Sequence, residues 1–204
     1  MRKKARGIVI AIDGPAGSGK STVSKRAAKE LNLLYIDTGA MYRALTLKAM
    51  REKLNLEDEG SLTDLAKRTK IALGEAGGKL EVTLDGEDVT DLIRTPGLTK
   101  NVKFIARVPG VRREMVKLQR AIGKQNGAVL EGRDIGTVVF PDADYKFYLD
   151  ADPEERARRR HRELKELGQD VSLDEVKADV VTRDKSDMKR SVGALKKAGD
   201  AVFI

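Results

Sequence analysis

Residues 8–22 read Ile8-Val9-Ile10-Ala11-Ile12-Asp13-Gly14-Pro15-Ala16-Gly17-Ser18-Gly19-Lys20-Ser21-Thr22, and their reading decides the fold. Ile8 to Ile12 is an unbroken apolar run rich in β-branched residues, the pattern of a parallel strand covered on both faces. Ser21 to Leu31 carries a helical pattern that sets Val23, Ala27, Ala28 and Leu31 on one face. Between them Gly14-Pro15-Ala16-Gly17-Ser18-Gly19-Lys20-Ser21 fits G-x-x-x-x-G-K-[ST]. Strand, glycine loop and helix start together make an anion cradle. The glycines let backbone N–H groups point inward, the helix dipole adds partial positive charge, Lys20 reaches the outer phosphates and Ser21 offers a hydroxyl to Mg²⁺. A glycine turn that matches by chance would lack both flanks. Residues Gly14 to Thr22 are therefore expected to hold a nucleoside triphosphate.

Working outward, further strands are expected at Leu34–Ile36, Ala128–Glu131, Tyr145–Leu149 and Ala201–Ile204, separated mostly by helical patterns. Alternating β and α elements predict a doubly wound α/β sheet. The stretch from Glu57 to Pro96 breaks that rhythm. Ser61 with Asp64 reads as a capping box for a helix through Lys70. Leu80, Val82 and Leu84 then alternate with polar residues ahead of the turn Asp85-Gly86 and Val89, so an insertion with its own small antiparallel sheet is expected. Asp152-Pro153-Glu154-Glu155 reads as a capped helix start, Gly168 as its stop, and Ser172 with Glu175 as a second capping box opening a helix towards Ser186.

Composition excludes several chemistries. The 204 residues contain no cysteine, which removes disulfides, thiolate zinc sites and a thiol nucleophile. His161 is the one histidine and lies among charged residues, so a solvated position is expected and a Ser-His-Asp triad is not. Catalysis must rest on Lys, Arg, carboxylates, backbone amides and a metal carried by the nucleotide. No apolar run approaches the roughly 20 residues of a membrane helix. The basic opening Met1–Arg6 leads into a short strand rather than a secretory signal, so the cytoplasm is expected. The net charge of +8 fits either nucleic acid or a site holding two phosphorylated ligands. Four Tyr and four Phe are too few for a single-strand stacking platform, which favours the second. No heptad seam is visible, so a monomer without membrane or nucleic-acid partners is expected.

Four more segments carry candidate chemistry. Asp37-Thr38-Gly39-Ala40-Met41-Tyr42-Arg43 follows a strand and opens a helix; beside a phosphate loop, Thr38, the early amides and Arg43 read as a second anion site rather than an ordinary cap. Glu131-Gly132-Arg133-Asp134-Ile135-Gly136-Thr137 follows a core strand at the end where open α/β sheets bind ligands. Glu131 is placed to orient water around Mg²⁺, Arg133 offers a fork for phosphate and Asp134 an acceptor for a base; the competing reading is a buried Arg133–Asp134 ion pair. Arg156, Arg158, Arg159, Arg160 and Arg162 crowd one helix, most of them expected to be solvated and one or two to reach a moving phosphoryl group, with the residues alone not choosing among the five. Arg183, Asp187 and Arg190 recur at i, i+4 and i+7, either a ligand face or an exposed ion-pair ladder.

Taken together, Ile12 to Lys20, Asp37 to Arg43, the stretch from Glu131 through Phe140 to Pro141, and Arg183-Asp184 with Asp187 resemble the bacterial cytidylate kinases over essentially the whole chain. The resemblance implies a three-layer P-loop NTPase fold: a central parallel sheet, a monophosphate-binding insertion with a small antiparallel sheet, and a short helical lid. It divides one domain into a core at about 1–37, 110–152 and 172–204, a monophosphate-binding region at about 38–109 and a lid at about 153–171. It implies transfer of the γ-phosphoryl group of ATP to CMP or dCMP with Mg²⁺. Lys20, Arg133, Asp134, Arg156 and Arg160 become the expected catalytic set. Thr38, Tyr42, Arg43 and Arg133 become contacts to the acceptor's phosphate and sugar, Arg112, Asp134 and Arg190 the cytosine readers, and Arg183 and Asp187 ribose and phosphate partners. Two departures stand out. A serine that family members often place ahead of the Pro-x-Val-Arg stretch is Lys103 here, which bears on base selectivity. The family also continues past the position of Ile204 through a loop and a final helix. The alternatives are a P-loop kinase for UMP, AMP or a small metabolite, and a nucleic-acid-dependent ATPase.

Overall fold

The computed structural model describes residues 7–76, 79–166 and 168–204; the basic opening Met1–Arg6 lies outside them. Along the chain run β1 (Val9–Asp13), α1 (Lys20–Glu30), β2 (Leu34–Asp37), α2 (Thr38–Arg51), α3 (Glu59–Arg68), β3 (Ile71–Ala76), β4 (Lys79–Leu84) and β5 (Glu87–Asp88). There follow α4 (Pro96–Ala106), α5 (Pro109–Asn126), β6 (Ala128–Gly132), a π-helical turn (Ile135–Val139), β7 (Tyr145–Tyr148), α6 (Pro153–Glu166), α7 (Leu173–Met188) and β8 (Val202–Phe203).

All five strands expected for the core form one parallel sheet in the order β2-β6-β1-β7-β8. β1 is central, and its unbroken apolar run follows from cover on both faces. Val9 and Ala11 enter a large cluster with α2, α5 and the inserted segment, whereas Ile10 and Ile12 enter a smaller one with Ala28 of α1. The insertion is antiparallel, β3-β4-β5, with β4 and β5 joined at Asp85-Gly86 as expected. Its Ile71, Val82, Leu84 and Val89 belong to the large cluster, so the small sheet shares the main core. Helices α6 and α7 pack on each other through Ala157, Val176 and Val180. Asp152 Oδ1 accepts from the Glu154 amide at 2.8 Å, and Ser172 and Glu175 complete the expected reciprocal cap.

Two local expectations are corrected. In α1 the inward residues are Lys20, Ser24 and Ala28, while Val23 and Leu31 are 45% and 55% exposed. Lys20 fixes that phase: its buried ammonium draws the i, i+4, i+8 stripe inward and turns Val23 out. The helix expected from Ser61 is capped instead by Asp58, whose Oδ1 accepts from the amides of Gly60 (3.0 Å) and Ser61 (3.1 Å). It ends at Arg68, because Thr69 is already extended. Among the described residues no helix is long and apolar enough to cross a membrane.

Candidate functional site

The loop between β1 and α1 sits at the carboxyl end of the central strand, flanked by the ends of β6 and β7. Gly14 lies so close to the chain after β7 that a Cβ would stand 1.9 Å from the Leu149 carbonyl oxygen. Gly19 caps α1 at φ 95° without a side chain to occupy the first amides, which leaves them for an anion. Lys20 Nζ donates to the Pro15 carbonyl (2.6 Å) and to Ser18 Oγ (3.3 Å). Burial and the nearby Arg133 charge lower its pKa to about 7. A phosphate would reverse that, since an adjacent anion favours the ammonium.

Three elements meet beside Lys20. Ser21 Oγ donates to Glu131 Oε2 at 3.0 Å, and the Tyr35 hydroxyl donates to Glu131 Oε1. A serine hydroxyl with its hydrogen turned to a carboxylate keeps its lone pairs for a cation, so Ser21 and Glu131 fit a Mg²⁺ ion carried by nucleotide phosphates. On the other face of the sheet Asp13 accepts from the amides of Ile135 and Gly136, both at 2.8 Å. Asp13 thus ties the loop bearing Arg133 and Asp134 to the strand that opens the phosphate cradle. Burial raises its pKa to about 6 against the pull of those two amides.

Across the cleft α2 starts at Thr38. Asp37 accepts from the Ala40 amide (2.9 Å) and from Arg43 Nη2 (2.9 Å). The Thr38 hydroxyl donates to the Glu131 carbonyl at 2.6 Å, so that side chain is already engaged within the protein. The competing Arg133–Asp134 pair does not form. Arg112 from α5, only 2% exposed, donates to Asp134 instead, and Arg133 Nε donates to Asp187 Oδ2 at 2.8 Å. Arg190 donates to the other oxygen of Asp187. Burial alone would raise the Asp187 pKa, but Arg133, Arg190 and Arg183 hold it below the usual carboxylate range. Far from an exposed ladder, Asp187 is a buried hub. Gly193, at φ 66°, roofs the Arg112–Asp134 pair so closely that a Cβ would lie 2.0 Å from Arg112 Nη2.

Several donors in this cleft are buried without a protein partner: Tyr42 Oη, Arg43 Nε and Arg112 Nε. Buried polar groups left unsatisfied are costly, and these three gather around one cleft. Tyr42 is pushed up to about 12 by burial and stays a neutral donor. Arg183 has no ion pair among the described residues; its surroundings and the Arg133, Arg160 and Arg43 charges lower its pKa to about 10, leaving it cationic at neutral pH.

The arginine-rich helix divides. Arg158, Arg159 and Arg160 pair with Glu154, Glu155 and Glu163 on α6 itself. Arg156 is buried beneath the phosphate loop: it donates to the carbonyls of Ala16 (3.2 Å) and Ala151 (3.0 Å) and pairs with Asp184 of α7 at 2.7 Å. It therefore fastens α6 and α7 to the cradle rather than standing free for a phosphoryl group. Lys103 is exposed on α4 with its ammonium 5.1 Å from the centre of the Phe104 ring. His161 Nε2 lies 3.0 Å from the Val171 carbonyl oxygen and away from the cradle.

Sequence reasoning missed Tyr35 and Asp13 as site residues. A polar residue ending an apolar strand just before the glycine loop was the signal for Asp13. For Tyr35 it was the period-2 alternation of β2, which sends Tyr35 to the α1 face and Leu34 and Ile36 to the other.

The family profile described as cytidylate kinase matches residues 10–204. A cytidylate kinase of Desulforamulus reducens is 56% identical over 195 residues, covering 96% of this chain and 87% of its own. That of Pelotomaculum thermopropionicum is 53% identical over 196 residues, covering 96% and 87%. That of Geobacter sulfurreducens is 49% identical over 199 residues, covering 98% and 85%. A phosphate cradle at the head of a parallel sheet, an arginine-lined cleft facing it and likeness across nearly the full length converge: the chain belongs to the cytidylate kinase family, transferases that act as nucleoside monophosphate kinases.

Proposed function

We propose that the protein transfers the γ-phosphoryl group of ATP to CMP and dCMP in an in-line displacement with Mg²⁺. The observation that carries this reading is the Arg112–Asp134 pair, buried beside the unpartnered Tyr42 hydroxyl and facing the Asp187 hub. Cytosine offers an N4 donor beside N3 and O2 acceptors. Asp134 accepts from N4, while Arg112 and Arg190 donate to N3 and O2. Uracil places an acceptor where the amino group was and leaves Asp134 opposed by it, so a site of this kind rejects the wrong base strongly.

The triphosphate lies in the amides of Gly14 to Thr22 with Lys20 on its outer phosphates. Ser21 would ligate the metal and Glu131 would orient water around it, and the metal would neutralise charge on the β- and γ-phosphates when bound. Thr38's turn, Arg43 and Arg133 take the acceptor phosphate, and Arg183 with Asp187 take the sugar. Arg160 and Arg183 add positive charge where the phosphoryl group passes; Arg156 contributes by holding the lid to the cradle. An acceptor phosphate is already a nucleophile, so positioning and charge neutralisation suffice without a strong base.

An ADP-release assay with ATP and Mg²⁺ and a panel of CMP, dCMP, UMP, AMP and shikimate tests the reading. Turnover is expected with the two cytidine monophosphates at least about 100-fold above UMP. Highest turnover with UMP, or none with any monophosphate, overturns it. Stimulation by RNA or DNA that falls steeply with salt would favour a nucleic-acid-dependent ATPase instead.

A further inference from the structure

Glu131 has no free carboxylate oxygen. Ser21 at the start of α1 donates to Oε2 at 3.0 Å, and Tyr35 of β2 donates to Oε1. The sheet register brings Tyr35 there. Tyr35 stands opposite Val129 on β6, and Glu131 is two residues further along the same face, within diagonal reach of a long side chain. Lys25 lies 5.7 Å from the centre of the Tyr35 ring, closing the outer side. Asp37, directly opposite Glu131 in the register, brings a second carboxylate to the same end of the sheet.

We infer that Tyr35 is a positioning residue for the divalent cation, acting through Glu131 to keep that carboxylate in the cation's outer shell. With Oε1 held by Tyr35 and Oε2 by the Ser21 hydrogen, Glu131 would have to give up a hydrogen bond to swing in and ligate the metal. It orients the Ser21 lone pairs and metal-bound waters instead. The Tyr35 hydroxyl is a donor to Glu131, since a phenol keeps its proton at neutral pH. The inference rests on the reading of Ser21 and Glu131 as the metal-facing pair.

The test is Tyr35→Phe, which removes one oxygen and leaves the ring. Mn²⁺ is the probe, its free concentration followed by electron paramagnetic resonance with a non-hydrolysable ATP analogue and protein in excess. Loss of an outer-shell partner of this kind costs about tenfold in metal affinity. Tyr35→Phe is therefore expected to weaken Mn²⁺ binding to the protein–analogue complex about tenfold. Analogue affinity measured in EDTA should remain within about twofold, as no metal contact is involved there. In a Glu131→Gln background the same substitution should change Mn²⁺ binding by less than about twofold, since the group it acts through is altered. Unchanged Mn²⁺ affinity, an equal loss of metal-free analogue binding, or the full loss persisting in Glu131→Gln would each overturn the inference. Failure of the unaltered protein to phosphorylate CMP would strike the functional reading and leave this binding measurement standing.

Discussion

The phosphate cradle and the cleft opposite it meet the same electrostatic demand with different materials. The cradle is one contiguous loop that the proposed function has bind through its amides, with Lys20 Nζ turned back onto the Pro15 carbonyl and Ser18 Oγ. The cleft is made of side chains from α2, α5, the loop after β6 and the end of α7, held against one another by Asp134 and Asp187. Amides carry partial charge fixed by the fold and need no counter-ion. Guanidinium groups carry full charge, so in the free protein they are kept in place by carboxylates that a ligand must then share or displace. A backbone site is thus rigid and indifferent to the rest of the ligand, whereas a side-chain site is selective and depends on every partner being present.

The largest expected effect breaks the cradle. Lys20→Ala should lower kcat about 1,000-fold, the loss typical of one charge aimed at the transition state. CMP binding by calorimetry should persist, because no acceptor contact is removed. Next comes the cleft: Asp134→Ala strands the buried Arg112 charge, which costs about 3–5 kcal/mol. The kcat/KM for CMP should fall by at least about 100-fold while ATP affinity stays within about twofold. If ATP affinity fell equally, the two regions would not be separable as described. Asp13→Asn addresses the tie between them. Its amide nitrogen would face an N–H of Ile135 or Gly136, and the loss of one such hydrogen bond, about 1–3 kcal/mol, should raise KM for CMP about tenfold with less effect on ATP.

The smallest effect is one of pH. In the free protein Lys20 titrates at about 7, and bound phosphates favour its charged form. Nucleotide binding near neutrality should therefore take up a proton, and affinity should fall as pH rises above about 7, by up to tenfold per unit. Calorimetry in buffers of different ionisation enthalpy reads the proton directly; proton release on binding would reverse the assignment.

The same contrast explains what was legible in the sequence. The cradle is local, so Gly14 to Thr22 could be read from spacing, and the five core strands from apolar runs bounded by turns. The cleft is not local. Arg112 and Asp134 are 22 positions apart and Arg133 and Asp187 are 54 apart, and no spacing rule pairs them. The resemblance alone implies roles for them, and only the fold shows the ion pairs they make. Arg156 shows the limit of composition: among five arginines on one helix, only its buried contacts with Ala16 and Asp184 distinguish it. Apolarity alone predicts the wrong inward face for α1, because the buried Lys20 sets the helix's phase.

Gly193 gives the closing consequence. With its backbone seated over Arg112 and Asp134, the free protein presents neither member of that couple to solvent as a bare charge. A simple anion or cation would have to separate the two before pairing with either. On the proposed reading, a partner offering a donor and an acceptor side by side on one flat edge compensates both halves when they part. Discrimination in such a pocket begins with a closed door that simple ions do not open.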